Sequence, residues 1–428
     1  MPALQALAIE VRIWNQRVGA VAADPSYASY AFEYDPAWAQ RGVQLAPLMM
    51  PTVGAGIFTF PTLDQEAYRG LPGMLADALP DDFGNQLIDA WMARHGVSKQ
   101  AVTTLDRLAY MGKRGMGAIE FRPARGSGKE SKKPLAMKNL VEEARRAIHA
   151  DLSDDDAAQA ALANIIRVGT SAGGARAKAV IVWNPRSNEI RSGQFDVDPG
   201  FEHWLLKFDG VSKDLELGSS QDYGRIEYAY HLMAKAAGIH MSPCRLLQEN
   251  GRQHFMTKRF DREENQKVHV QTLCALQHLS YRQRGTHAYE QLFMVAVQLG
   301  LTPQDLTQLF TRMVFNVMAR NHDDHTKNHA FMLREGGAWE LTPAYDLTFA
   351  YNPQGEWTWQ HLMSVNGKFD AITKEDLLNV AARFSVPGAD KAIAQVRDAL
   401  QEWPAFATEA EVQSSEIARI GELQLVAL

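Results

Sequence analysis

Met318-Ala-Arg-Asn-His322-Asp323-Asp324-His325-Thr-Lys327-Asn328-His329-Ala-Phe-Met-Leu333 is the stretch on which the fold depends. Apolar residues at helical spacing lead into it over 309–317, and a short apolar run that reads as a strand closes it. Between them sit His322, Asp323, Asp324, His325, Lys327, Asn328 and His329, a concentration of polar groups that marks a working loop. Asp323 and Asn328 are five residues apart. Phosphoryl-transfer loops use that spacing, with the Asp taking a hydroxyl proton and the Asn holding a metal ion. Eighteen residues after Asn328, in Leu-Thr-Pro-Ala-Tyr-Asp-Leu, Asp346 offers a second carboxylate to complete a Mg²⁺ site. The expectation is a phosphoryl-transfer enzyme using ATP and Mg²⁺.

Working outward toward the N-terminus, Lys207 lies inside an apolar strand run, His203-Trp-Leu-Leu-Lys207-Phe. A lysine there must reach water or meet a charge, and kinases place such a strand lysine on the ATP phosphates, braced by a helical Glu. Glu227, on a helix expected over 221–237, suits the bracing role. Upstream, Gly169-Thr-Ser171-Ala172-Gly173-Gly174-Ala175-Arg-Ala-Lys178 has three glycines in ten residues and a strand behind it. This fits either a tight hairpin or a turn whose backbone N–H groups approach phosphates. Downstream, two strands end in Thr257-Lys258-Arg-Phe260-Asp261-Arg, where Asp261 is a candidate for a nucleotide ribose or a plain turn residue.

The chain of 428 residues is long enough for two or three domains, and 46% apolar with 22% charged residues is ordinary for a globular protein. A net charge of −6 gives no general pull toward nucleic acid or anionic membrane, so DNA association is expected only through a partner. Cys244 and Cys274 are the only cysteines and suggest no disulfide scaffold. The first residues lack a basic and apolar leader, and no run approaches the roughly 18 apolar residues of a spanning helix. A cytoplasmic protein without membrane contact is expected.

Residues 7–34 alternate as a small β-meander with a turn over Asn15–Gly19. Three helical segments follow before residue 112, and Arg125–Pro134 reads as a linker. Helical patterns occupy Leu135–His149 and Asp154–Val168. From about 266 the chain turns helical, ending in Lys374–Ala382, Asp390–Glu402 and Glu409–Leu425, the last capped by Thr408 with Glu411. The expected domains are a β-rich 1–122, a small lobe with linker and Gly-rich loop over 123–265, and a helical large lobe over 266–428. The expected fold class is α+β, two-lobed and protein-kinase-like.

Taken together, these blocks resemble the HipA family of toxin serine/threonine kinases. Ser171-Ala-Gly-Gly174-Ala175-Arg-Ala-Lys178 matches the family's Ser-x-x-Gly-Ala-x-x-Lys loop. Asp323-Asp-His325-Thr-Lys327-Asn328 matches Asp-x-His-x-Lys-Asn, and Leu341-Thr-Pro343-Ala-Tyr345-Asp346 matches Leu-x-Pro-x-Tyr-Asp. The resemblance spans nearly the whole chain. It implies Asp323 as catalytic base, Asn328 and Asp346 as Mg²⁺ ligands, and Lys207 on the ATP phosphates, with Phe260 and Asp261 lining the nucleotide. The Gly-rich loop, Lys178, Lys258 and Lys327 complete the implied ATP site, and His325 supports the loop. It further implies autophosphorylation of Ser171, with Thr170 a competing acceptor. A phosphate there would repel the phosphates of ATP. The implied partners are a HipB-type helix-turn-helix antitoxin, which carries any DNA contact, and a translation-related protein substrate such as an aminoacyl-tRNA synthetase. Asp324 departs from the best-known member, which has Gly, and leaves a spare carboxylate beside the metal.

Two other activities fit part of the pattern. A small-molecule kinase on the same fold would share the Asp-x-x-x-x-Asn loop. A metal-dependent phosphohydrolase would use His322, Asp323, His325 and His329 as ligands. A pseudokinase is disfavoured because Lys207, Asp323, Asn328 and Asp346 are all present.

Overall fold

The computed structural model describes residues 6–26, 28–54, 56–80, 82–124, 178–193, 196–209, 222–249 and 251–428. The expected linker 125–134, the helical patterns of 135–149 and 154–168, and Ser171, Ala172, Gly173, Gly174 and Ala175 lie outside the described residues. The chain forms two compact units that interleave along the sequence. One comprises Met1–Ser212, Lys258–Ser280 and Met332–Ala338, and the other Lys213–Thr257, Tyr281–Phe331 and Trp339–Leu428.

In the first unit, β1 (Ala8–Ile13), β2 (Gln16–Ala23), β3 (Tyr30–Tyr34), β4 (Ile57–Phe58) and β5 (Glu120–Arg122) form an antiparallel sheet ordered β4-β3-β2-β1-β5. Alternation in β1 puts Ile9, Val11 and Ile13 on the buried face. The β1–β2 turn is tighter than expected. Trp14 and Asn15 both take positive φ, +46° and +61°, the geometry that matches strand twist in a two-residue hairpin, so β2 resumes at Gln16. Gly19 is therefore inside a strand, where a Cβ would sit 2.1 Å from the Glu33 carbonyl oxygen.

The same unit holds three further antiparallel strands, β6 (Lys178–Trp183), β7 (Ile190–Ser192) and β8 (Glu202–Lys207), with β6 between the other two. Every residue of β6 is buried. Its register on β8 places Lys178 directly opposite Lys207.

The second unit carries the hairpin of β9 (Cys244–Glu249) and β10 (Arg252–Lys258) and most of the helices. The Tyr223–Ala236 helix lies close on that hairpin at Gly224, where a Cβ would come within 2.2 Å of the Gln253 carbonyl oxygen. At the centre is the Pro303–Met318 helix, started by a Thr302–Asp305 capping box with Pro at its first turn. All of its last eight residues, 311–318, are buried, so it is enclosed on every side rather than amphipathic there. Tyr230 packs edge-on against Phe315 and Trp403, joining three helices in one core.

The C-terminal segment differs from the expected Glu409–Leu425 helix capped by Thr408. A separate helix, Trp403–Glu409, ends where that one is expected to begin, and the last helix runs only from Ser414 to Leu423. Thr408 is no cap: its hydroxyl donates back to the Pro404 carbonyl at 2.6 Å, within the first helix. Glu411, at φ +57°, then turns the chain. No helix among the described residues is long and apolar enough to cross a membrane.

Candidate active site

The site begins where the central helix stops. The Tyr230 hydroxyl donates to the Ala319 carbonyl at 2.6 Å, and the Leu425 N–H takes the Met318 carbonyl at 2.8 Å. Two carbonyls of the helix end are thus satisfied from elsewhere. Arg320 adopts φ +59° and turns the chain into the loop, its guanidinium donating to the Leu423 carbonyl at 3.0 Å. A short parallel bridge pairs Asn321 with Ala350: His322 donates to the Ala350 carbonyl at 3.0 Å and Ala350 to that of Arg320 at 3.1 Å. The entry to the 322–329 loop is therefore stitched to the residues just after Asp346.

The loop closes on itself. The Asn328 amide nitrogen donates to the Asp323 carbonyl at 2.6 Å, across a short 3₁₀ turn of Thr326–Asn328. This bond uses the amide nitrogen and not the amide oxygen. The Asp323 side chain is 49% exposed, with His325 Nε2 3.8 Å from its carboxylate. Tyr281 lies beside the loop, its ring centroid 4.6 Å from Lys327 Nζ and 5.5 Å from the His325 ring. Lys327 thus sits over an aromatic face, which favours a cation there.

Asp346 is brought to this loop by its own motif. Thr342 anchors the segment, donating through its hydroxyl to the Ala330 carbonyl at 2.9 Å and accepting Arg312 at its own carbonyl at 2.7 Å. The Tyr345 hydroxyl donates to the Lys327 carbonyl at 2.7 Å. Asp346 itself has φ +52°, a left-handed conformation uncommon outside glycine and suggestive of a functional constraint. An Asp346 carboxylate and an Asn328 amide oxygen are hard oxygen donors, a set that suits Mg²⁺ rather than a soft transition metal.

Asp324 is not a spare carboxylate beside a metal. It is completely buried. One oxygen accepts from the Tyr289 hydroxyl and from His361 Nδ1, each at 2.8 Å, and the other from the Leu362 N–H at 2.8 Å. Burial alone would raise its pKa, but the adjacent His361 imidazole and these bonds outweigh that and hold it below the usual carboxylate range. The remaining histidines face different neighbours. His322 packs on His361 and Tyr351 at 4.1 and 4.8 Å between centroids, and His329 stands edge-on to Tyr289 at 5.4 Å. Burial lowers the His329 pKa to about 4. No group of three or more His, Cys, Asp or Glu among the described residues could hold a metal, so the phosphohydrolase arrangement finds no support.

In the first unit, Lys178 and Lys207 occupy facing positions, so their side chains leave the same face of the β6–β8 pair. Lys178 is buried and Lys207 half-buried. Lys258 is half-buried and ion-paired with Glu202 at 2.7 Å, and Phe260 is half-buried.

Asp261 does not present itself to a ribose. It is wholly buried and takes both donors of the Arg259 fork at 2.7 and 2.8 Å, Arg262 at 2.7 Å and the Gly117 N–H at 2.8 Å. Burial alone would raise its pKa; the two guanidiniums more than reverse this and hold it well below the usual range. Its work is to fix the 259–262 turn against residues 115–117. Of the other expected groups, Glu227 is buried in the Tyr223–Ala236 helix.

Oxygen donors on a closed loop, and separately a pair of facing lysines on two strands, are groups that a kinase-like fold can use. Comparison with known proteins identifies the family. A HipA N-terminal domain model matches residues 9–122 and a HipA-like C-terminal domain model matches residues 170–403. The chain belongs to the HipA family. The HipA of Shewanella oneidensis MR-1, solved as a toxin–antitoxin complex of HipA, HipB and operator DNA, superposes with a TM-score of 0.68 at 19% identity. The match covers 98% of this chain and 96% of that one, which establishes a HipA-like α+β fold. Two Sinorhizobium fredii (strain NBRC 101917 / NGR234) proteins are also similar. "Putative kinase Y4dM" is 29% identical over 137 residues, 31% of this chain and 32% of that protein. "Putative kinase Y4mE" is 25% identical over 131 residues, 28% and 31% respectively. The matched stretch spans about a third of the length of these curated relatives.

Proposed function

We propose that this chain is a Mg-ATP-dependent serine/threonine protein kinase acting as the growth-inhibiting toxin of a toxin–antitoxin pair. The observation that carries the reading is the closed loop: Asn328 bonded to the Asp323 carbonyl, with Tyr345 tying the Asp346 turn to the same loop. Asp323 takes the proton of the attacking hydroxyl, a role for which a half-exposed carboxylate on a braced loop is suited. Asn328 and Asp346 would hold Mg²⁺, whose charge neutralises the phosphates of ATP. Lys207, with Lys178 opposite, contacts those phosphates. Lys327 offsets charge near the transferred group and His325 supports Asp323.

The protein substrate is a translation-related protein such as an aminoacyl-tRNA synthetase, and Ser171 or Thr170 is the internal acceptor. A HipB-type antitoxin is the partner, in line with the assembly of the Shewanella protein, and DNA is reached through it. The working compartment is the cytoplasm.

The test is intact mass after incubation with Mg²⁺ and ATP, followed by mapping of the added phosphate. Phosphate on Ser171 or Thr170, absent in Asp323→Asn, supports the reading. ATP turnover only in the presence of a metabolite, with no phosphoprotein, would replace it by a small-molecule kinase.

A further inference from the structure

A single buried line of side chains runs behind the catalytic stretch. Asn321 donates to the Asn316 side-chain oxygen at 2.9 Å, and Asn316 to the Tyr289 hydroxyl oxygen at 2.9 Å. The Tyr289 hydroxyl then donates to Asp324 at 2.8 Å, where His361 and the Leu362 N–H also converge. Tyr289, Asn316, Asn321, Asp324 and His361 are all 2% exposed or less. At the other end, the Asn321 amide also approaches the Asp346 carbonyl oxygen at 3.5 Å. The line therefore starts beside the residue expected to bind metal and ends one residue from the expected base.

Stability alone gives a poor account of it. A buried carboxylate loses its hydration, and apolar residues of similar volume would hold a core as well or better. What a bonded polar line supplies is a preferred arrangement, because each bond constrains the next, even though the Asn321 Oδ1 takes no donor in it. Here the constraint bears on two short segments that must present oxygen atoms in fixed relation.

We infer that Asp324, Tyr289, Asn316 and Asn321 are positioning residues that lock the Asp323 loop and the Asp346 turn to one another. None of them need touch the nucleotide. The inference deepens the kinase reading and rests on it for its consequence in catalysis; the mechanical coupling of the two segments does not depend on it.

The principal variant is Tyr289→Phe, which keeps the ring in the core and deletes the hydroxyl shared by Asn316 and Asp324. Two measurements apply to the full chain: amide hydrogen exchange, and single-turnover autophosphorylation as a function of ATP concentration. In Tyr289→Phe, exchange should quicken in 321–329 and 345–350 together while the first unit's β1–β5 sheet is unchanged. The maximal transfer rate should fall roughly ten- to hundredfold, the range set by misplacing a catalytic group. Half-saturating ATP should change less than threefold. Asn321→Ala should reproduce the pattern, and the double variant should lose no more than about twice what either single one loses. Exchange unchanged in both segments, quickened in only one, or quickened throughout the chain overturns the coupling. A wild-type enzyme that transfers phosphate and a Tyr289→Phe variant that transfers it equally fast overturns the positioning role. A wild type that transfers nothing defeats the kinase reading instead, and the exchange result still decides the coupling.

Discussion

The hydroxyl of Tyr345 donates to the backbone carbonyl of Lys327 at 2.7 Å, so the residue before Asp346 is bonded to the residue before Asn328. Each of the two oxygen ligands expected for Mg²⁺ therefore follows directly on one end of a single hydrogen bond. Tyr345→Phe removes that bond and keeps the ring. Stability should fall by about 1 kcal/mol, the usual worth of such a bond. The transfer rate should fall more than this loss implies, with weaker Mg²⁺ binding visible as a higher half-saturating Mg²⁺. Denaturant melts and Mg²⁺ titrations of the transfer rate check both parts.

Asp323→Asn tests the base. The side chain is half exposed, and the bond that closes the loop goes to the Asp323 backbone carbonyl, which the substitution keeps. The melting temperature should stay within about 2 °C of wild type, and transfer should fall roughly 10²- to 10⁴-fold, the range of a lost general base. A variant with near wild-type transfer would remove Asp323 from the chemistry.

Asp261→Asn should behave in the opposite way. Removing the charge leaves Arg259 and Arg262 buried without their carboxylate, and breaking such a cluster typically costs about 3–5 kcal/mol. Urea denaturation should show the loss. In the protein that remains folded, half-saturating ATP should be unchanged, because the carboxylate was committed inward.

Acid sensitivity follows from the buried imidazoles. Burial lowers the pKa of both His269 and His329 to about 4, against roughly 6.5 in an unfolded chain. Between those values the unfolded state binds protons that the folded state refuses. Stability is therefore full above about pH 6.5 and declines as the pH falls toward 4. At pH 5 each histidine accounts for roughly 2 kcal/mol by this linkage. Melting temperatures between pH 7.5 and 5 should fall steadily, and His269→Gln should flatten part of the slope.

How much of this was legible in the sequence depends on distance along the chain. Asp323 and Asn328 belong to one loop, so their spacing marked them as a pair, although the bond from the Asn328 amide to the Asp323 carbonyl is visible only in the structure. The same holds for Lys207, whose strand run is local, although its register opposite Lys178 is a property of pairing. Asp324 was misread because its partners Tyr289 and His361 lie 35 and 37 residues away. Asp261 was misread for the same reason: at a strand end it looks available, and the Gly117 N–H that helps bury it is 144 residues distant. Thr408 failed differently. Its Thr-x-x-Glu pattern is genuine capping chemistry, but the hydroxyl found a carbonyl one turn back inside a helix already begun at Trp403.

The left-handed backbone at Asp346 sets two selective demands against each other. Glycine would relax that conformation, so Asp346→Gly should make the isolated turn easier to form, by up to about 1 kcal/mol. It would also delete the carboxylate. A screen that rewards only heat resistance should therefore drift toward glycine at this position and return sturdier proteins that have lost their chemistry, whereas a screen for growth arrest should hold the aspartate despite its conformational cost.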